Sequence, residues 1–154
     1  MKPHDVLIRT ATSTDYSACL PLLASLYHDD IGPCFKEAFQ NLATNKNSIV
    51  LLAEDSSKAI GILIGSFHLD IDWEANIGRV QAIFTAQNHR RRGIAGRLLD
   101  HFIEVSKKKK CRAIGSRVNK RNKDAQSFHE SRGFWKADTY EYILDLQEEP
   151  KHRP

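Results

Sequence analysis

Short apolar runs alternate with longer amphipathic stretches along the chain, and their spacing predicts most of its elements. Val6 to Thr10 reads as a short strand. Thr12, Ser13 and Thr14 then offer helix caps ahead of Asp15, an acid suited to a first turn. Leu20, Leu23, Leu26 and Tyr27 recur at helical spacing, with Pro21 expected to kink or restart that helix. His28 to Pro33 is a turn-rich break, and Phe35, Phe39 and Leu42 mark a second helix ending near Asn45. Ile49 to Ala53 and Ala59 to Ile64 are apolar runs joined by the polar Glu54 to Lys58, the pattern of an antiparallel hairpin. Val80 to Thr85 is a further strand. Gly93 to Lys108 carries Ile94, Leu98, Leu99, Phe102 and Val105 on one helical face. Arg112 to Val118 reads as a strand, Asp124 to Ser131 as a helix, and Tyr140 to Leu146 as a last strand with alternating faces.

That order predicts an α/β chain with a mixed sheet, about six to seven strands and about four helices. The hairpin half is antiparallel. The strand-helix-strand unit in the second half requires a parallel pair with a right-handed crossover. No repeat or linker interrupts the chain, so residues 1–148 are expected to form a single domain, with 149–154 as a polar tail.

Composition narrows the class. The 154 residues are 41% hydrophobic and 27% charged with both signs mixed, which suits a soluble globular protein with a core of its own. No apolar run approaches the roughly 18 residues of a membrane span, and Val6-Leu7-Ile8 is too short for a secretory signal. Cys19, Cys34 and Cys111 have no paired metal spacing, so the expected setting is the reducing cytoplasm. His4, His89, His101 and His152 lack ligand spacing, and no metal is expected. The net charge of +4 is concentrated at Arg90-Arg91-Arg92 and Lys107 to Lys110. The lysines read as a solvated helix end, where cations oppose the negative end of the dipole.

The arginine run sits in a segment with its own chemistry. Val80 to Thr85 leads into a basic loop, then Gly93, then a helix start of small residues. Free N–H groups and the positive dipole end at such a start suit an anion. Gly93, Ala95 and Gly96 let a phosphate approach the backbone, and arginines add charge-assisted contacts. A pyrophosphate fits. The same residues also read as a solvated basic loop before an ordinary helix. There is no Walker loop and no Gly-x-Gly-x-x-Gly.

Arg90-x-x-Gly93-x-Ala95 resembles the Gln/Arg-x-x-Gly-x-Gly/Ala signature of the GNAT superfamily of N-acetyltransferases. Asn122-x-x-Ala125-x-x-Phe128-His129-x-x-x-Gly133-Phe134 resembles a second segment of that family, and the element order is similar as well. Phe35 to Leu42, His68 and Asn119 to Ala125 bear a faint similarity to its aminoalkylphosphonate and small-amine acetyltransferases. The resemblance implies the GNAT fold, with the parallel pair splayed, and acetyl-coenzyme A as cosubstrate. Ile83, Phe84 and Thr85 would pair with the pantetheine arm and polarise the thioester, with oriented amides contributing about 3 kcal/mol each. Arg90, Arg91, Arg92, Gly93, Ile94, Ala95 and Gly96 would hold the pyrophosphate, and Asn122 and Phe128 would line the arm or the reacting centre. An amine would attack directly, with no covalent enzyme intermediate.

Two positions depart from the family pattern. The tyrosine that protonates the leaving thiolate is replaced by His129, an imidazole that can serve as acid in its place or stand on the helix without a role. The strand glutamate that draws the amine proton is absent; Arg79, Gln81 and Ala82 stand there. The acceptor side of the family then implies Tyr27, His28, Asp29 and Asp30, with His68 and Asp70. Asp72, Trp73 and Glu74 are further candidates. Each of the polar groups among these also reads as a turn or capping residue. Tyr140 and Tyr142 read as packing residues, and Trp135 as packing or acceptor-lining.

The expected activity is acetyl transfer to a primary amine: a small amine, amino sugar, aminoglycoside, polyamine, or protein lysine or N-terminus. Clustered acids at Asp29-Asp30 and Asp70-Asp72 favour a cationic acceptor. A coenzyme A-binding module without turnover is the alternative class. A nucleic-acid binder would use the arginine and lysine runs but lacks a DNA-reading helix or aromatic platform. No membrane partner is expected, and a homodimer stands open beside a monomer.

Overall fold

A computed structural model describes residues 5–146 and divides them into two compact units, one ending at Ser116 and the other beginning at Arg117. The first unit holds a five-stranded sheet in the order β1 (Leu7–Thr10), β2 (Ser48–Asp55), β3 (Lys58–Asp70), β4 (Ala75–Thr85) and β5 (Ala113–Ser116). The first four strands are antiparallel, and β4 and β5 are parallel. Three of the four helices belong to this unit: α1 (Tyr16–Leu26), α2 (Phe35–Thr44) and α3 (Ile94–Lys108). In the second unit, α4 spans Lys123–Ser131.

The hairpin is tighter than its polar link implies. Asp55 pairs with Lys58, and Ser56 and Ser57 both take left-handed conformations, at φ 50° and 65°. Two positive φ values make a turn whose twist matches that of the strands. Both β3 and β4 run beyond their apolar stretches, to Asp70 and back to Ala75, because Ser66, His68 and Arg79 occupy strand positions that carry no hydrophobic signal. Pro21 does not interrupt α1.

One face of the sheet packs Val50, Leu52, Ile62 and Ile64 against Cys19, Leu22 and Leu23 of α1 and Phe39 of α2. The other face takes α3 at unusually close range. Ile94, Leu98 and Phe102 recur every four residues and form a single ridge. A Cβ on Gly61 would lie 2.9 Å from Ile94 Cγ2, and one on Gly65 would lie 2.7 Å from Phe102 Cζ. The ridge therefore rests on bare strand backbone.

The amino-terminal strand is fastened by charge. Arg9 donates to Asp15 at 2.9 Å and to Glu54 at 2.6 Å, joining β1 to β2 and to the turn before α1. Arg97 of α3 donates to the Val6 carbonyl at 2.6 Å.

The strand expected over Tyr140 to Leu146 is not formed. No ladder closes on residues 140–146, and Tyr140 and Tyr142 are 80% and 93% exposed, so the packing role expected of them is also absent. Alternation makes a segment compatible with a sheet, but a strand exists only where a second backbone takes its hydrogen bonds. Five strands thus stand among the described residues, against the six to seven expected. The tail at 149–154 lies outside the described residues. No helix of the described residues is long and apolar enough to cross a membrane, and Cys19, Cys34 and Cys111 are free.

Two outcomes follow from this packing. Gly65→Ala should cost about 1–3 kcal/mol in urea denaturation by overpacking Phe102, and Gly65→Ala with Phe102→Leu should recover part of that loss. The Asp15 carboxyl is held down to about 2, first by the hydrogen bond from Arg9 and then by the Thr12 amide. Its folded value lies below its unfolded one, so its contribution is complete above the unfolded pKa and is lost on acidification through the folded one. Between about pH 4 and about pH 2 stability should fall by up to about 2 kcal/mol, and Asp15→Asn should flatten that slope.

Candidate active site

A break in register defines one end of the candidate site. Ile64 pairs with Ala82 and Gly65 with Val80, which leaves Gln81 as the extra residue of a β-bulge. The parallel ladder stops at the same place, where Val80 pairs with Ser116. From Gln81 to Thr85, β4 continues beside β3 with no β5 partner. Every second N–H and C=O along that stretch faces the side that β5 has left. Ile83, Phe84 and Thr85 lie on it. Phe84 leans on the α1–α2 core, whereas Thr85 turns to the α3 face, opposite Gly61.

The loop beyond β4 is braced from its own side chains. Arg90 donates from Nε to the Thr85 carbonyl at 3.3 Å, and its guanidinium stands 5.5 Å over the Phe84 ring. Arg92 donates to His89 Nδ1 at 3.0 Å. Arg91 is exposed and left-handed, at φ 60°. Gly93 caps α3 at φ 74° and ψ 10°, and a Cβ there would meet nothing within 4 Å. Glycine is needed here for its backbone conformation and not for room. The Arg97 N–H closes back on the Gly93 carbonyl at 3.0 Å, and the amides of Ile94 and Ala95 stand in the first turn, where a helix has no carbonyl of its own to offer them. No side chain caps that end. Since Ile94 rests on Gly61 and Gly61 pairs with Thr85, the helix start is held beside the unpaired end of β4.

Asn122, Phe128 and His129 belong to the second unit. Asn122 is the N-cap of α4, and its Oδ1 accepts from the Ala125 amide at 3.0 Å. The cap uses the carbonyl and leaves the amide NH2 group to donate. His129 is 6% exposed and edge-on to Phe128 and Phe134. Its Nδ1 lies 2.8 Å from the Ala125 carbonyl, which can only accept, so Nδ1 carries the hydrogen. Nε2 of the neutral ring is then an acceptor, and it donates only as imidazolium. Among the described residues, two buried side-chain polar atoms lack a partner, Thr85 Oγ1 and His129 Nε2. Both belong to residues singled out in the sequence. Such orphans are uncommon, and each has the capacity to bond a group that comes to it.

The acceptor candidates divide. Tyr27 packs edge-on to Phe35, and burial raises its hydroxyl pKa. His28 and Asp29 follow in successive left-handed conformations, at φ 51° and 62°, a strained exit from α1. Asp30 completes the link, with its amide on the Tyr27 carbonyl at 2.9 Å. His68 is exposed at the far end of β3, where an open cleft of about 560 Å³ is lined by Asn47, Phe67, His68, Asn76 and Lys109. Asp70 is engaged in the β3–β4 turn, its Oδ1 accepting from the amides of Asp72 and Trp73 at 3.0 and 3.2 Å. By strand geometry Asp70 lies roughly 20 Å along β3 from Leu63, the partner of Ile83. Nothing in the spacing marked the bulge at Gln81 or the part of β4 before Val80. Among the described residues no three His, Cys, Asp or Glu gather as a metal site.

Solved structures share this architecture at low identity. A transcriptional regulator from Bacillus halodurans C-125 is 24% identical with a TM-score of 0.79, over 92% of this chain and 99% of its own. A ribosomal-protein-alanine N-acetyltransferase from Brucella melitensis biovar Abortus 2308 is 20% identical with a TM-score of 0.77, over 92% and 99%. An aminoglycoside 6′-N-acetyltransferase from Acinetobacter baumannii is 22% identical with a TM-score of 0.80, over the same shares. An aminoglycoside N-acetyltransferase crystallised with coenzyme A is 18% identical with a TM-score of 0.83, over 96% and 100%. No curated protein matches the chain. The acetyltransferase (GNAT) family pattern matches residues 14–134, a span that takes in the bulged strand, the arginine loop and α4. The chain belongs to the GNAT acetyltransferase family, whose cosubstrate is acetyl-coenzyme A.

Proposed function

We propose that this protein is an N-acetyltransferase of the cytoplasm, built as one catalytic domain, that moves the acetyl group of acetyl-coenzyme A to a primary amine. The observation that carries the reading is the bulged end of β4 running into a glycine-capped helix start flanked by three arginines. The amides of Ile94 and Ala95, with Arg91 and Arg92, would receive the pyrophosphate. Arg90 would brace the strand end. The open side of Ile83 to Thr85 would take the pantetheine amides and turn an N–H toward the thioester oxygen, where charge develops.

The amine nitrogen attacks the carbonyl carbon, the C–S bond breaks, and the thiolate leaves. The nitrogen loses a proton and the thiolate gains one. Asn122, with its NH2 group unused by the cap, would hydrogen-bond the arm. His129 would protonate the sulfur through Nε2, which its Nδ1 contact permits only in the imidazolium form. The crystallised relatives act on aminoglycosides and on a ribosomal protein, so amines of different size fit this architecture. A second reading is a coenzyme A-binding module without turnover, favoured by the histidine in place of the family's tyrosine. Binding without thiol release from acetyl-coenzyme A over an amine panel would support it.

Arg91→Ala, Arg92→Ala, Gly93→Glu combined should weaken coenzyme A binding in calorimetry by at least about 100-fold, through lost charge-assisted bonds and an added like charge. Unchanged affinity would remove the phosphate cradle. His129→Gln should lower kcat by about 100-fold or more with little change in coenzyme A affinity, and His129→Tyr should restore turnover, as measured by thiol release.

A further inference from the structure

The helix α3 ends one rung before the sheet does. A Cβ on Gly78 would lie 3.0 Å from Ser106 Oγ in the last turn, so the helix covers the rung of Phe67 and Gly78. The next rung on that face, Leu69 and Asn76, lies beyond the helix end and is exposed, Leu69 at 74%. The track of β2 stops here too. That strand begins at Ser48, and the last bond across runs from the Phe67 amide to the Asn47 carbonyl at 2.8 Å. Alternation puts the N–H and C=O of Leu69 on the same edge as those of Phe67. Among the described residues no strand lies opposite them on that side.

These two gaps make the open cleft of about 560 Å³, at the opposite end of β4 from the arginine loop. Lys109 closes one wall. Its Nζ lies 4.9 Å from the centre of the Phe67 ring and donates to the Lys46 carbonyl at 3.1 Å, and it makes no ion pair among the described residues. Of the lysine run only Lys107 has an acidic partner there, Glu104; Lys46, Lys108 and Lys110 are exposed without one. The carboxamides of Asn47 and Asn76 are equally uncommitted. Their residues bond through the backbone, Asn47 accepting from Phe67 and Asn76 from the Arg112 amide at 2.9 Å. A solvated helix end accounts for Lys107, Lys108 and Lys110. It does not account for an ammonium drawn over a ring, because a solvated lysine keeps the rotamer freedom that Lys109 gives up.

We infer that the cleft docks an extended peptide segment bearing carboxylates, laid along the track that β2 leaves beyond Asn47. The segment would exchange backbone hydrogen bonds with Leu69, as in strand addition to an open sheet edge. A carboxylate on its α3 side would meet Lys109, and the carboxamides of Asn47 and Asn76 can donate to that group or to the peptide bonds. Other polyanions fit less well. A nucleic-acid base finds no free ring in the cleft, since Phe67 is stacked on Phe102 at 5.4 Å and covered by Lys109. An anionic bilayer would also meet Asp72 and Glu74, exposed at the turn beyond Asp70. The cleft stands apart from the acetyl-transfer site, and the docking does not depend on that reading.

A capped, fluorescein-labelled heptapeptide of alternating threonine and glutamate, titrated with the full chain in fluorescence anisotropy, tests it. The same peptide with glutamine for glutamate should bind about 10-fold more weakly, the worth of one charge-assisted bond at an open site. A version with N-methylated peptide bonds should lose a similar factor, since it cannot pair with a strand edge. Lys109→Ala should weaken the acidic peptide by about 10-fold at an unchanged melting temperature, and Lys109→Arg should keep most of the affinity. Coenzyme A should not displace the peptide. No binding at millimolar protein, equal affinity for the glutamine peptide, or unchanged binding by Lys109→Ala overturns the docking site. Equal binding of the N-methylated peptide reduces it to a patch of charge and overturns the strand addition. Displacement by coenzyme A moves the peptide to the arginine loop, and a decathymidylate that binds more tightly and competes makes the surface one for nucleic acid; either result refutes the inference.

Discussion

The ridge of α3 can lie on the sheet only where the sheet offers no side chains. Gly61 and Gly65 provide that floor, with Ile94 and Phe102 settled on it at distances a Cβ would forbid and Leu98 at one it would crowd. Close-packed interiors transmit such a constraint along a helix, because buried side chains have little room to shift. The start of α3 is thereby fixed beside Thr85, and the loop from Ala86 to Gly93 has to close a short gap. Its left-handed residues, Arg91 and Gly93, are the way it does so.

At the same place the sheet gives up pairing. The bulge at Gln81 and the end of the β4–β5 ladder leave backbone donors and acceptors without strand partners. Unpaired backbone is costly in a protein interior and useful where a ligand supplies the missing bonds. Within the first unit, Thr85 Oγ1 repeats this on the side-chain level, a buried group with no hydrogen-bond partner among the described residues. The helix start adds its partial positive charge, and the arginines add whole ones. Charge alone does not distinguish their tasks. Arg90 holds the strand end and Arg92 donates one bond to His89, whereas Arg91 makes no side-chain bond among the described residues.

Much of the candidate site was legible because it is local. The bounds of α2 and α3 followed from apolar periodicity, and both appear within a residue of the places read for them. The loop of Arg90 to Gly96 could be read as an anion site because a glycine and small residues at a helix start imply exposed amides whatever the rest of the chain does. The outer half of β3 and the first half of β4 were not legible. Ser66, His68, Asn76 and Arg79 interrupt the apolar pattern, so the buried Phe67 and Ile77 stand singly, without a run that marks a strand. Residues 140–146 show the converse, an alternating pattern that found no backbone to pair with.

What the amino-acid sequence determined by itself is which segments can be helix or strand, where the polar breaks between them fall, and which side chains accompany the arginine loop. These depend on contacts within a few residues. Only the tertiary structure decided the register that puts the bulge at Gln81, the tautomer imposed on His129, the loss of Asp70 to a turn and the reach of Lys109 across Phe67. A ring beneath an ammonium or a ladder partner lies many residues away along the chain, so its presence or absence is a property of the folded sheet and leaves no trace in local spacing.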